Sequence, residues 1–227
     1  MQNSKSIYRS GIFVGELKNR FLCEVKINGM VEECYVPSSC HLSNFLQLEG
    51  RSVLLVPTQA PSSRTKYALF AVPFKRNYIV LNTSMANRVI EGGLRGRHFS
   101  YLGKRKEWLK EHKIDGYKAD LYIPATKTII EIKSIISTKE PAIFPTVYSE
   151  RTVNQLKQIQ QLLLNGYRVC FMIVSLHPYV KGVTIDKSTE FYSELSKCLE
   201  GGLIVKAYTS RVENDIIKID KEIGVNW

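Results

Sequence analysis

Cysteine is scarce in this sequence, and no two cysteines stand at a spacing typical of a metal site or a redox pair. A disulfide framework and a structural zinc site both need cysteines at characteristic short spacings. The chain has an odd number of cysteines and no CxxC motif, so it argues against both, and we expect reduced thiols. The five are Cys23, Cys34, Cys40, Cys170 and Cys198.

Long hydrophobic runs are also missing. No apolar stretch approaches the roughly 18 residues of a membrane span, and the first twenty residues lack the apolar core of a signal peptide. We therefore expect a cytoplasmic protein with no membrane partner. Nothing in the pattern indicates the oligomeric state.

Negative charge is in short supply, because 21 acidic residues stand against 32 Lys and Arg, and the formal net charge of the 227 residues is +11. This balance favours polyanionic partners, although a basic surface can also be solvated without a partner. The excess is densest in RGRHFSYLGKRKEWLK, where Glu107 is the single acidic residue. We predict nucleic-acid contacts there, with a solvated loop as the alternative. The candidates are Arg95, Arg97, Lys104, Arg105 and Lys106.

The N-terminal part of the chain predicts a barrel. Five short apolar segments before residue 75 are separated by turn signals such as Asn28-Gly29 and Glu49-Gly50. Five strands in about 75 residues suit a small antiparallel β-barrel of the oligonucleotide-binding type. We assign residues 1–80 to this domain.

Residues 81–227 predict a mixed α/β domain, which makes the whole chain α+β. A short helix is expected to begin after Thr83 or Ser84, and a long helix after Ser149. A third helix lies within 189–202. The predicted inner face of the long helix is Val153, Leu156, Ile159 and Leu163. The predicted strands are 107–112, 118–123, 128–135, 168–176 and 203–210.

The stretch DLYIPATKTIIEIK predicts a hairpin that gathers three charges. With a turn that begins at Pro124, Asp120 lies opposite Glu131, and Lys133 shares their face. Two opposed carboxylates repel each other, so strand packing gives no reason for the arrangement. The other face is expected to be apolar and buried, and consists of Ala119, Leu121, Ile123, Ile130 and Ile132.

A divalent cation would explain the opposed carboxylates. Mg²⁺ or Mn²⁺ is typically held by one or two carboxylates with waters and phosphate oxygens. We predict a site formed by Asp120 and Glu131, with the backbone carbonyl of Ile132 as a further ligand. Lys133 would orient or deprotonate an attacking water and offset phosphate charge. The alternative is a solvated hairpin in which the lysine pairs with its acidic neighbours.

These residues resemble the PD-(D/E)xK nuclease superfamily, and the whole chain resembles the sugar fermentation stimulation protein family. The matching stretches are NRFLCEV, VLNTSMANRVIE, KADLYI, IIEIKSI, FPTVYSERTVNQL, GYRVCFMIV and VKAYTS. The resemblance implies an N-terminal barrel of the oligonucleotide-binding type and a restriction-endonuclease-like second domain. It also implies binding to DNA, with RNA not excluded, and a link to the regulation of sugar-utilisation genes.

The resemblance also assigns site residues. The nuclease motif falls on Asp120, Glu131 and Lys133, and Glu91 stands where nucleases of this fold often contribute another acidic group. Nucleic-acid contacts are implied for Arg20 in the first matching stretch. They are also implied for Arg151, whose place at a helix N-terminus favours an external anion, and for Gln155 one turn later.

The chain departs from the family at several positions. In PSSCHL, Cys40 and His41 stand where the family has Gly and Arg. Thr146 and Thr152 replace an Asp and a Gly, and Gln155 replaces a His.

Three functions compete. The first is a DNA-binding protein with a metal-dependent phosphodiesterase site, and the second is a DNA-binding regulator that keeps the nuclease fold without turnover. The third treats the opposed carboxylates as a glycosidase pair, for which a separation of about 5 Å would fit. The third explains neither Lys133 nor the basic stretch.

Overall fold

The computed structural model describes residues 8–38, 41–58 and 62–227, and Cys40 lies outside them. The described residues form the following strands: β1 Arg9–Glu16, β2 Leu22–Ile27, β3 Met30–Tyr35, β4 Ser52–Pro57, β5 Tyr67–Phe74, β6 Asn77–Val80, β7 Leu109–Ile114, β8 Tyr117–Ile123, β9 Thr128–Ile135, β10 Ala142–Phe144, β11 Arg168–Ser175, β12 Gly182–Ile185, β13 Ile204–Glu213 and β14 Ile216–Asn226. The helices are α1 Met85–Gly93, α2 Glu150–Leu164 and α3 Glu190–Glu200.

The N-terminal strands close into the predicted barrel. They are ordered β3-β2-β1-β4-β5, and the ring is completed where Tyr35 in β3 pairs with Ala68 in β5. Side chains such as Val25 and Leu55 fill the interior. The sixth strand, β6, pairs with β5 outside this ring and was not predicted, because four residues are too few to show an alternating pattern.

The second domain is built on an eight-stranded mixed sheet in the order β10-β12-β14-β13-β11-β9-β8-β7. Its centre is parallel, since β11 pairs in parallel with both β9 and β13. The sequence pattern does not predict β10 and β12, which have only three and four residues. Nor does it predict β14, whose charged residues hide the pattern and which follows a tight turn with positive φ at Asn214 and Asp215.

Successive residues of β11 point into two different hydrophobic clusters. Cys170, Met172 and Val174 belong to a cluster that continues through α1 into the barrel. Phe171 and Ile173 belong to another, which includes buried residues of α2 and α3. The barrel and α1 therefore cover one face of the sheet, and α2 and α3 cover the other.

The central elements follow the predictions closely. The side chain of Ser149 accepts a hydrogen bond from the amide of Thr152 and caps α2 as expected. Leu162, and not the predicted Leu163, is the fully buried residue of the last turn, because the inner face drifts around the helix. Ile123 pairs with Thr128, as the predicted hairpin register requires.

No helix in residues 8–38, 41–58 and 62–227 is both long and apolar enough to cross a membrane.

Candidate active site

The strands β8 and β9 part at the point where the charged residues begin. Their ladder pairs Leu121 with Ile130 through Ile123 with Thr128. Beyond this ladder, the backbone amide of Ile132 donates a hydrogen bond to Asp120 Oδ2 instead of to a backbone carbonyl, with an N···O distance of 2.8 Å. Asp120 therefore replaces a ladder contact with its side chain, and the strands diverge.

This divergence corrects one predicted detail of the hairpin. Ala119 was expected on the same face as Leu121 and Ile123, but it packs in the cluster with Tyr117 and α2. Leu121 and Ile123 pack in the cluster shared with the barrel. Alternate residues of β8 are buried as predicted, but Ala119 packs in a different cluster from Leu121 because the ladder with β9 has ended.

Asp120 is held from both sides. Asn87 in α1 donates from Nδ2 to Oδ1 of Asp120 at 3.1 Å, and the Ile132 amide serves Oδ2. Burial of the carboxyl, followed by the nearby charge of Glu131, raises the pKa of Asp120 to about 6. The two hydrogen bonds oppose this rise without cancelling it, so ionising this carboxyl costs more than ionising an exposed aspartate.

Glu131 is buried, with 3% of its surface exposed, and both of its oxygens are engaged. Lys133 Nζ donates to Oε1 at 2.7 Å, and Gln155 Nε2 donates to the same oxygen at 3.0 Å. Tyr117 donates its hydroxyl to Oε2 at 2.5 Å. Burial and the carboxylate of Glu131 raise the pKa of Tyr117, which keeps its proton in this bond.

Lys133 and Gln155 form the third side of the same network. Lys133 Nζ donates to Gln155 Oε1 at 2.6 Å, while Gln155 donates to Glu131. The amide of glutamine accepts through its oxygen and donates through its nitrogen, a pair of roles that the two ring nitrogens of a neutral histidine can also fill. The departure from the family at residue 155 thus leaves a residue that positions the lysine.

A cavity of about 1250 Å³ opens above these groups. The barrel side of its lining includes Arg20, Ser38 and Phe45. The other walls come from α1, the β7–β8 hairpin, the segment 144–149 and the first turns of α2. Arg151 and Gln155 line it together with the three charged residues of the hairpin. The fold therefore gathers Arg20, Arg151, Gln155, Asp120, Glu131 and Lys133 around one space.

Glu91 does not belong to this lining. Its carboxylate pairs with Lys110 Nζ at 2.6 Å at the outer strand β7. Asn87, one helical turn earlier in α1, contacts Asp120 instead. The geometry thus offers an amide, and not a third carboxylate, from this helix.

The five predicted basic contacts also lie outside the cavity lining. Arg105 serves the local fold, because its guanidinium donates to the backbone carbonyls of Leu94, Gly96 and Gly103 at 2.6 to 2.9 Å. The others are exposed to solvent. These are Arg95, Arg97, Lys104 and Lys106.

The altered loop after β3 is tied to the barrel. His41 Nδ1 lies 3.5 Å from Glu16 Oε1, and the amides of Leu42 and Ser43 donate to the same carboxylate at 2.6 and 3.0 Å. The position where the family has an arginine therefore belongs to a capped turn.

Two residues of the network were missed by the sequence analysis. Asn87 lies inside a stretch that was matched to the family, one turn before Glu91, and an amide facing a carboxylate leaves no pattern in the chain. Tyr117 is a strand residue whose ring could equally have been core packing. Its contact with Glu131 depends on how β8 and β9 part, which the sequence does not show.

The donor set can accept a cation, although it is small. Across the described ranges no group of three or more His, Cys, Asp or Glu side chains is arranged to hold a metal ion. Asp120 and Glu131 each keep lone pairs that the recorded hydrogen bonds do not use. Burial, followed by the charge of Glu131, raises the pKa of Asp120, and both effects oppose its ionised form. Two carboxylates are enough for Mg²⁺, which retains waters and uses substrate oxygens.

Comparison with known proteins identifies the chain's relatives. The model described as "SfsA N-terminal OB domain" matches residues 17–81, and "Sugar fermentation stimulation protein RE domain" matches 84–215. A sugar fermentation stimulation protein homolog of Ruminiclostridium cellulolyticum is 26% identical over 97% of this chain and 98% of its own. The homolog of Methanobrevibacter smithii is 25% identical over 75% of this chain and 76% of its own.

A solved structure has the same fold. It is titled "The structure of Pyrococcus Furiosus SfsA in complex with Ca2+", and it superimposes with a TM-score of 0.83 at 20% identity, covering 98% of this chain and 97% of the other. The two matched regions together span most of the described residues. The chain therefore belongs to the sugar fermentation stimulation protein (SfsA) family.

Proposed function

We propose that this protein binds DNA and hydrolyses phosphodiester bonds with a Mg²⁺ or Mn²⁺ ion held by Asp120 and Glu131. The observation that carries this proposal is that Asp120, Glu131 and Lys133 line one large cavity, with Asp120 held by Asn87 and the Ile132 amide and Glu131 paired with Lys133. A solvated hairpin would leave the carboxylates exposed, whereas Glu131 is buried.

The electrostatics favour a cation at this place. Asp120 is destabilised as an anion by its burial and by Glu131, and a divalent ion between the two would relieve both effects. The related Pyrococcus protein was solved in complex with Ca²⁺, a cation with the same preference for oxygen ligands. The amide of Ile132 donates to Asp120 and not to β8. We propose the carbonyl of the same residue as a further ligand.

Each protein group has a separate task in the proposed reaction. The cation, when bound, supplies Lewis acidity and neutralises charge on the phosphate. Lys133 offers its ammonium to the phosphate oxygen or to the attacking water, and Gln155 and Glu131 hold it in place. Asn87 fixes one oxygen of Asp120, and Tyr117 fixes one oxygen of Glu131. The carboxylates are thus oriented before substrate arrives.

A DNA-binding regulator without turnover is the second candidate. It is favoured by the contact between Glu91 and Lys110, which leaves two carboxylates at the site where a nuclease of this fold often has three. A role at sugar-utilisation genes, as the family resemblance implies, would suit this candidate and needs binding only.

A paired assay separates the two candidates. Plasmid DNA and single-stranded DNA are incubated with the protein in Mg²⁺, in Mn²⁺ and in EDTA. Isothermal calorimetry then measures metal binding by the wild type and by the Asp120→Asn, Glu131→Gln double variant. We expect cleavage in Mg²⁺ or Mn²⁺ but not in EDTA, and loss of metal binding in the double variant.

Two results would count against the nuclease. Equal metal binding by the wild type and the double variant would remove the cation from these carboxylates. Tight DNA binding without metal-dependent cleavage of any substrate would favour the regulator.

A further inference from the structure

Two neighbouring apolar side chains in the cavity wall remain unused by the proposed chemistry. Tyr148 is 65% exposed and Val147 is 46% exposed, and both line the cavity that contains Asp120 and Glu131. Single exposed hydrophobic residues are common on protein surfaces, but here two consecutive ones line the cavity that holds the charged residues. Phe45 adds an aromatic side chain from the barrel side.

The ring of Tyr148 is held in position. Its hydroxyl donates to Glu190 Oε2 at 3.0 Å, and Glu190 is the first residue of α3. The hydrogen bond uses the edge of the side chain and leaves the rest largely open to solvent. A tyrosine fixed at one end with its ring exposed is suited to stacking against a flat partner.

Two arginines border the same space from opposite domains. Arg20 comes from the turn between β1 and β2, and Arg151 from the first turn of α2. In the part of the chain that the structure describes, neither forms an ion pair with an acidic side chain. By contrast, Lys118 in the lining is paired with Glu111. The two arginines are therefore available for an external polyanion.

We infer that the cavity takes single-stranded DNA, with a base stacked on Tyr148 and backbone phosphates on Arg20 and Arg151. Aromatic side chains beside a basic groove are the recognition pattern of single strands, because unpaired bases expose their faces. A duplex hides those faces in its own stack and would leave the ring of Tyr148 without a partner. The inference rests on the proposed function, since it names the substrate of that site.

The burial of Glu131 supports the same substrate. It is 3% exposed and lines a cavity to which both domains contribute. A single strand is flexible enough to place one phosphate beside a carboxylate so far from the surface. A duplex is stiff over many base pairs and needs costly bending or unstacking to do the same.

Fluorescence anisotropy with three labelled probes tests the inference: a single strand, a hairpin duplex of the same sequence, and a strand of abasic sites with the same number of phosphates. EDTA is present so that no probe is cut. We expect the wild type to bind the single strand at least about tenfold more tightly than either other probe. Tyr148→Ala should lose about 5- to 150-fold on the single strand and nothing on the abasic strand.

Two further variants make the result specific. Tyr148→Phe keeps the ring and should keep most of the affinity, which separates stacking from the hydrogen bond to Glu190. Trp227→Ala removes an exposed aromatic residue outside the cavity lining and should behave as the wild type. Unchanged melting temperatures would confirm that the variants are folded.

The outcomes distinguish this inference from the proposed function. If the duplex binds as tightly as the single strand, or if Tyr148→Ala leaves single-strand affinity unchanged, the single-strand inference is overturned. Metal-dependent cleavage of the duplex would then leave the nuclease proposal standing. If none of the probes binds in EDTA, the single-strand inference is overturned, and the cleavage assay in Mg²⁺ or Mn²⁺ decides the proposed function separately.

Discussion

The hairpin of β8 and β9 and the basic segment 95–110 were both singled out by charge, but the fold uses them differently. The hairpin delivers Asp120, Glu131 and Lys133 to the lining of one cavity. The five basic residues that were predicted to contact DNA lie outside the lining of that cavity. One of them, Arg105, donates hydrogen bonds to three backbone carbonyls. Strand register fixes which side chains meet, whereas charge density alone does not fix where a side chain points.

The largest effect is expected from Lys133→Ala. Its ammonium is proposed to act on the phosphate charge that develops during the reaction, so its loss should reduce kcat by about a hundredfold or more while KM changes little. Lys113→Ala is the matched control, because it removes an exposed lysine from β7, the outer strand of the same sheet, outside the cavity lining. Kinetics on a labelled oligonucleotide measure both parameters.

The opposite division would contradict the role given to Lys133. If KM rises and kcat is retained, the lysine contributes ordinary binding. Because Lys133 also contacts the buried Glu131, the melting temperature of the variant must be measured beside its activity.

A second effect is expected on the pH dependence of stability. The pKa of Asp120 is raised from its ordinary 3.8 to about 6 by burial and by Glu131. An acid with a raised pKa favours the folded state while protonated, so this contribution is present below about pH 4 and is lost as the pH rises through 6. It amounts to at most about 3 kcal/mol, because one pKa unit corresponds to about 1.4 kcal/mol.

The variant Asp120→Asn, measured without metal, isolates the contribution of Asp120 protonation to the free energy of unfolding. The substitution removes the titration and also one hydrogen-bond acceptor, which adds a constant offset. Urea denaturation of both proteins between about pH 4 and 7 should show wild-type stability falling relative to the variant as the pH rises. A difference that stays constant, or that changes in the other direction, would show that Asp120 is not held at a raised pKa.

The sequence could predict a contact in this site when residues close together in the chain determine it. It could not do so when the packing of distant elements determines the contact. The register of β8 with β9 is local, so a turn at Pro124 predicted it correctly, but the ladder ends at Leu121 with Ile130 and does not include the predicted pair of Asp120 with Glu131. The contacts from Asn87 and Tyr117 depend on how α1 packs and where β8 bends. Neither leaves a periodic signal, because an amide or a tyrosine at these positions fits ordinary packing equally well.

The same reasoning explains the success and the failures in the fold. The barrel and α2 were predictable because alternation, turn residues and the Ser149 cap are local signals. The outer strands β10 and β12 are short and obtain their pairing from distant partners. Their existence follows from the completed sheet, which no segment of the sequence determines by itself.

A smaller effect is expected on stability from Arg105→Ala. The three carbonyls that it serves include that of the buried Leu94, so its loss should destabilise the protein by about 1–3 kcal/mol. Lys104→Ala, at the exposed neighbouring position, should change stability by less than about 0.5 kcal/mol. Urea denaturation measures both. Equal stability of the two variants would mean that Arg105 is a surface charge like its neighbours.

The smallest effect on catalysis is expected when the exposed basic residues of the segment are removed and Arg105 is kept. The fourfold variant Arg95→Ala, Arg97→Ala, Lys104→Ala, Lys106→Ala lies outside the cavity lining, so at saturating DNA its kcat should stay within about twofold of the wild type. Any loss should appear as weaker binding with a shallower dependence on salt, because each phosphate contact that is lost reduces the salt slope by about 1.

The fourfold variant is compared with the double variant Arg20→Ala, Arg151→Ala, which removes two arginines that line the cavity. Its salt slope should fall by about 2, one unit for each phosphate contact. Affinity measured from low to moderate salt decides between the regions. If the fourfold variant loses more of the slope than the double variant, the basic segment is the main DNA contact, and the strand would have to continue from the cavity across the outer surface. If both variants keep the wild-type slope, neither region contacts the backbone, and the net charge of +11 would have another role.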